Sequence, residues 1–415
     1  MSQALTVKTS QGMAENVARF SFKMLQRTVA AAPAGKDVII SPLSVMLPLL
    51  LLAWAARGKT REQIFELLGL TSQEDSVSYA SWLLSQLREA VGQDSGGWTG
   101  EGLDQSLILN VANGLWVRQG CEINPEFLQV ARASFDAKVE VADFSQSASV
   151  VRAINAWVSE QTRGRITHIV DALDSQTVMH VLNAIFFKGK WEDPFEPSDT
   201  KDELFYLLDG TIKRHPLMYC WRDMSYTETG AYQCVALPFK SSGRTSVNYM
   251  TVLPRPEQDF DQFVATFDSG QYVRAYQALH YSDGKLWLPR IKFAGRHALE
   301  SILTGMGMPD AFDLDCADFG GLYSGQPDPN FPFYISGVGQ KVTALVDEKG
   351  AEFAAATGFE MALGACIDDE PPPWEMRVDR PHLIVLDVKD LVTRTRVPAF
   401  VGVVKDPEDP GPPAD

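Results

Sequence analysis

Residues 178–187, Val-Met-His-Val-Leu-Asn-Ala-Ile-Phe-Phe, carry apolar side chains on both alternating faces. Successive side chains of a strand point to opposite sides of its sheet, so such a segment must be covered above and below. The pattern predicts a strand in the middle of a large sheet, with further layers packed on it. Asn183 interrupts the pattern, and a buried amide needs several hydrogen-bond partners. It reads either as a satisfied structural amide or as a polar latch holding a movable seam shut.

The rest of the chain mixes helix and strand. Val17, Phe20, Phe22 and Leu25 recur at helical spacing within 11–28, and Ser41-Pro42 opens a second helix with Ser at the cap and Pro in the first turn. The apolar run 43–56 is too short to span a membrane and contains Pro48 and Trp54, so it predicts a buried core helix. Residues 106–117 alternate like a strand, while 125–134 and 151–162 are helical, and short strands follow near 235–238, 249–254, 285–289, 382–388 and 399–404. The Gly-rich stretch 91–105 reads as a surface loop, and the Pro-rich acidic tail 408–415 as disordered. A chain of 415 residues leaves the domain count open from length alone, but 45% hydrophobic residues suffice for a large core.

Charge narrows the partners. With 37 Lys and Arg against 53 Asp and Glu, the net charge of −16 repels phosphate backbones and anionic membranes, which argues against nucleic acid, heparin and membrane as partners. The N-terminus lacks a charged segment followed by an apolar one, and the five cysteines are odd in number without a Cys-x-x-Cys pair. Both predict a reducing, cytoplasmic setting, with an extracellular one open only through another export route.

Catalytic signals are weak. The segment 53–60 ends in Gly58-Lys59-Thr60 like a phosphate-binding loop, but it begins with Ala and follows a helical run, so the backbone nest for phosphate is not expected. There is no Gly-x-Ser-x-Gly elbow, and the six histidines show no i, i+4 metal pairing. Neither catalytic residues nor a metal or other cofactor is expected, and the chain is not read as an enzyme.

The most informative segment is 346–357, Val-Asp-Glu-Lys-Gly-Ala-Glu-Phe-Ala-Ala-Ala-Thr. Small side chains after Gly350 would let an extended strand slide between two neighbours; otherwise the run is a flexible connector or a helix. It resembles the hinge of the serpin family, approximately Glu-Glu-Gly-Thr-Glu-Ala-Ala-Ala-Ala-Thr. The resemblance runs from about Val17 to Pro407 and is carried by Ser41-Pro-Leu-Ser44, Asn155-Ala-Trp157, Thr162-Arg-Gly-Arg-Ile166, Asn183 to Phe195, Leu237-Pro238, Leu253-Pro254, Leu288-Pro-Arg290 and Phe400 to Pro407.

The resemblance implies an α+β fold with three β-sheets, about nine helices and an exposed reactive-centre loop at about 348–380, all within one domain spanning 1–407. It implies a bacterial or intracellular inhibitory member acting as a suicide substrate. A protease attacks the loop, and the freed hinge then inserts into the central sheet before the acyl-enzyme is hydrolysed, a known example of strand addition and stored strain. A dozen ladder hydrogen bonds with their apolar burial supply on the order of 10 kcal/mol for that step.

By resemblance the hinge is Glu348, Gly350, Ala351, Phe353, Ala355 and Thr357, with Ala351, Phe353, Ala355 and Thr357 facing inward. Phe353 is larger than the family favours and either overpacks the sheet or fills an enlarged pocket. Ser41, Ser44, Asn183 and Gln340 form the shutter, with Gln340 in place of the usual His and so without its pH dependence. Trp191, Arg290 and Glu348 form the breach, read as a partly exposed ion pair beside a core Trp or as a gate.

Counting from Glu348 puts the reactive bond at Gly364–Ala365, with Leu363–Gly364 second. This suits serine proteases of chymotrypsin, elastase or subtilisin type, and cysteine proteases are a further class. The alternative, motivated by Phe353, Gln340 and His382, is a non-inhibitory member serving as carrier, chaperone or passive substrate.

Overall fold

The computed structural model describes residues 9–89, 107–173, 179–241, 245–325, 333–335, 338–352 and 373–412. Helix α1 (Ser10–Ala31) is capped by the Thr9 hydroxyl, which accepts the Gly12 N–H at 3.1 Å, and it buries Val17, Phe20, Phe22 and Leu25 as their spacing predicts. Strand β1 (Val38–Ile40) leads into α2 (Pro42–Ala55), which is apolar all round and enclosed by the core. Ser41 sits at its N-cap position without capping it; its hydroxyl instead donates to the Ala399 carbonyl at 2.9 Å, tying the helix to a neighbouring strand. Helices α3 (Gly58–Leu68) and α4 (Gln73–Glu89) follow. The segment 53–60 thus joins two helices, which is not the strand-to-helix turn that a phosphate loop requires.

Next come β2 (Leu107–Arg118), α5 (Pro125–Phe135), β3 (Ala137–Ala142), α6 (Ser147–Gln161), β4 (Met179–Lys190), β5 (Lys201–Tyr206), β6 (Ile212–Glu228), β7 (Tyr232–Pro238) and β8 (Thr245–Pro254). The chain continues through α7 (Phe260–Thr266), α8 (Ser269–Ala278), β9 (His280–Pro289), β10 (Ile291–Ala298), α9 (Glu300–Met306), β11 (Gly339–Val346), β12 (Gly350–Glu352), β13 (Trp374–Arg377), β14 (His382–Asp390) and β15 (Arg396–Val404). That makes nine α-helices among the described residues, and none is long and apolar enough to cross a membrane.

The strands form a six-stranded sheet, β10-β11-β12-β4-β2-β3, and a nine-stranded one, β1-β15-β14-β8-β7-β6-β9-β13 with β5 on β6. The sheets expected to be three are hydrogen-bonded as two because the 17-residue β6 is shared. Its first part carries β5 and its last residues pass to β7, while β9 runs along most of it.

Strand β4 lies inside the six-stranded sheet, as its two apolar faces require. Ile185 and Phe187 join the main core on one side. On the other, Leu182 and Ala184 pack under α6 with Ile154, Trp157 and Val158, and Trp157 meets Trp116 edge-on at 5.0 Å. The tail expected to be loose from residue 408 is pinned at its start, because the Lys292 N–H donates to the Glu408 carbonyl at 2.8 Å. Residues 91–105 lie outside the described part.

Candidate functional site

The hinge begins in a tight reversal. Strand β11 ends at Val346, and Asp347 then ties the turn, its side chain accepting the N–H groups of Lys349 (2.8 Å) and Gly350 (3.2 Å). The chain enters β12 between β11 and β4, with Ala351 opposite Val346 on one side and Gly189 on the other. Only glycine fits at 350: a Cβ there would lie 2.1 Å from the Gly189 carbonyl oxygen. Ala351 is buried.

Glu348, Arg290 and Trp191 come together beside this turn. Glu348 is fully buried and accepts from Arg290 Nε (2.9 and 3.1 Å), from Arg290 Nη2 (2.5 Å) and from the Thr200 hydroxyl (2.5 Å). The Trp191 indole donates to the Asp347 carbonyl at 2.8 Å and stacks on Phe239 at 4.6 Å. The partly exposed ion pair expected here is therefore an enclosed one, because Trp191, the strand ends and the tail exclude water; Asp409 stands 3.7 Å from Arg290. Sequence reasoning missed Thr200 and Asp409, which no local pattern links to Glu348.

Removing one member of a buried pair strands the other charge. Glu348→Gln should destabilise the chain by about 3 kcal/mol, with a smaller loss when Glu348→Leu and Arg290→Met are combined, since neither charge then stays buried. Urea midpoints measure both; an unshifted midpoint in Glu348→Gln would show the pair to be hydrated in solution.

Below β12 a cavity of about 740 Å3 runs between β4 and β11, roofed by the loop that follows α6. The shutter residues all line it but stand on opposite lips. On one lip Gln340 donates to the Ser41 carbonyl (2.7 Å) and to the Ser44 hydroxyl, and its oxygen accepts the Ser41 N–H (3.0 Å). On the other, Asn183 donates to Asn113 Oδ1 at 2.8 Å, across the β2–β4 pair, and its own Oδ1 has no hydrogen-bond partner among the described residues.

The satisfied amide expected at 183 is thus only half satisfied, and no hydrogen bond among the described residues latches Asn183 to Gln340. Gln340 does not titrate, but His297 stands directly opposite it in register. Burial holds the His297 ring below its ordinary pKa, partly offset by its hydrogen bond to the Ile39 carbonyl, so it is neutral at pH 7. His382 is fully buried and pushed down to about 4 by the same cause.

The distal end of the loop is anchored by β13, which runs parallel to β9. The Trp374 ring stacks on Tyr226 at 4.0 Å and lies over Gly284, where a Cβ would come within 2.0 Å of it. Arg377 stands 4.3 Å over the Trp287 ring and 3.4 Å from Glu203, which ties it to the sheet. Phe353, Ala355, Thr357 and the reactive-bond residues Leu363, Gly364 and Ala365 lie outside the described residues.

The arrangement is a seam with one end already holding the first residues of an added strand. A family model described as "Serpin (serine protease inhibitor)" matches residues 15–407. Antitrypsin of Bombyx mori is 28% identical over 90% of this chain and 90% of its own length. Corticosteroid-binding globulin of Ovis aries is 27% identical over 90% of this chain and 81% of its own. The native-state crystal structure of tengpin, a thermophilic serpin, superposes with a TM-score of 0.79 at 24% identity, over 96% of this chain and 95% of that one.

Proposed function

The chain belongs to the serpin family, and from that premise we propose that it inhibits serine-type endopeptidases as a one-use trap, using no cofactor. The observation that carries this reading is β12. Gly350 and Ala351 already sit between β11 and β4, and the cavity continues along the same seam below them. A loop released by cleavage extends β12 downward, pairing its backbone groups with both lips and burying its small side chains. The bound protease is carried along while its acyl bond is intact. The unpartnered Asn183 Oδ1 and the lip-bound Gln340 leave that path free of a direct polar latch.

The proteases best matched are of chymotrypsin, elastase and subtilisin type, because 361–366 reads Met-Ala-Leu-Gly-Ala-Cys. Incubation with such a panel should give an SDS-stable complex. Mass spectrometry of the C-terminal fragment should find it starting at Ala365, or at Gly364 as second choice. Clean cleavage throughout, without a complex, rejects the trap; a fragment starting at Val378 overturns the specificity.

One observation favours a second reading, a serpin that carries a ligand or is merely cut: a similarly close relative bears the name corticosteroid-binding globulin. The bulk of Phe353 points the same way. In that reading loop cleavage adds no strand to the sheet, which a melting experiment detects.

A further inference from the structure

Large aromatic side chains on a strand surface are normally covered, yet the outer face of β6 and β9 leaves Trp221 60% and Tyr281 72% exposed. Tyr219 and Trp287 continue this face, their rings 4.9 Å apart. By strand order β6 and β9 are interior to the nine-stranded sheet, but among the described residues 221–224 pair only with β9 and 280–283 only with β6, so the two exposed rings stand on a two-stranded part of it.

The face is also acidic. Asp223 and Asp283 stand directly opposite each other in register, a like-charge pair that costs stability unless something compensates it. Asp283 accepts only the Trp221 indole N–H, at 3.0 Å, and among the described residues neither aspartate has an ion-pair partner. The Tyr281 hydroxyl is raised above its ordinary pKa, by burial first and then by the charges of Asp223, Asp193 and Glu192, with Arg222 opposing. Lys285, directly opposite Trp221 in register, is bonded to Glu375 at 2.8 Å and stands 5.5 Å from the centre of the Trp221 ring, so its charge is shared between the two and Tyr281 is the ring left without a cation among the described residues.

Position supplies the occupant. Trp374, one residue after the described chain resumes at Pro373, is paired with Gly284, one residue from Asp283 and three from Tyr281. The loop that a protease would grip therefore ends next to this face. We propose that the Trp221–Tyr281 face, with Asp223 and Asp283, is a docking surface for the cationic rim of the protease that attacks the loop.

This inference rests on the inhibitory reading for its partner. Arg or Lys side chains of the protease stack on the two rings and neutralise the opposed aspartates. The loop then selects the bond that is cut, while the face selects which enzyme arrives. A second copy of this chain would meet like charge, given its net −16.

The test uses the protease that attacks the loop fastest, in its active form and with its catalytic serine replaced by alanine. Two double variants are compared with the parent: Trp221→Ala with Tyr281→Ala, and Asp223→Asn with Asp283→Asn. Both should slow association with the silent protease about tenfold or more, and the second should flatten its dependence on salt. The stoichiometry of SDS-stable complex with the active enzyme should not change.

Unchanged association rates overturn the docking face, and leave the trap standing if complexes still form. Docking that depends on Trp221 without any covalent complex supports the face and defeats the inhibitory reading. Sedimentation showing a parental dimer that the variants abolish would assign the face to self-association and overturn the proposal.

Discussion

Cutting the loop within 361–366 should raise the melting temperature by on the order of 10 °C. Three described residues of β12 already occupy the seam, and the turn at Asp347 directs the following chain along the cavity between β4 and β11. In the intact chain residues 353–373 have to connect β12 to Trp374, which is fixed on the other sheet, and that connection opposes further insertion. Cleavage removes the tether. A dozen further residues then form ladders on both sides, with net gains of about 1 kcal/mol per hydrogen bond. Unfolding entropy of roughly 2 cal/mol/K per residue converts about 10 kcal/mol in a chain of 415 residues into a rise of about that many degrees. Differential scanning calorimetry before and after limited cleavage by subtilisin reads the shift. No rise would mean that the loop does not enter the sheet, and would favour the carrier reading.

What the sequence made legible was whatever repeats over short distances. The doubly apolar run 178–187 is recovered as Met179–Lys190 inside the six-stranded sheet, and the run 43–56 as the enclosed helix α2. The period of a strand or helix reports its burial without knowledge of its neighbours. Partnerships across the chain were not legible. Glu348 meets Arg290 and Thr200 from remote positions, so the pair was read as half exposed when it is enclosed. The shutter was read as one cluster, yet Asn183 turns to Asn113 and Gln340 to Ser41, because sequence order does not say on which lip of a seam a side chain will stand. The exposed Trp221 had no signal at all: an aromatic residue on a strand reads as core until the layers are placed.

Ala351→Arg should turn the protein from an inhibitor into a substrate. Ala351 points into the core beside an apolar cavity of about 40 Å3, lined by Ile39, Phe187, Tyr249, Ile291 and Ile384 among others. No carboxylate lines that cavity, so an arginine there meets neither a counter-ion nor water. It must give up the place that Ala351 already holds in β12, so insertion has to begin by burying an unpaired cation, at a cost of several kcal/mol. Even a barrier about 3 kcal/mol higher slows insertion by roughly 100-fold, enough for deacylation to win if the two steps are now comparable. Ala351→Ser, small and uncharged, should insert nearly as fast as the parent. The readout is the number of inhibitor molecules consumed per protease inactivated. It should rise many-fold for arginine and little for serine, while the rate of loop cleavage stays the same. An arginine variant that traps protease with parental stoichiometry would show that position 351 does not lie beneath the sheet when the trap closes.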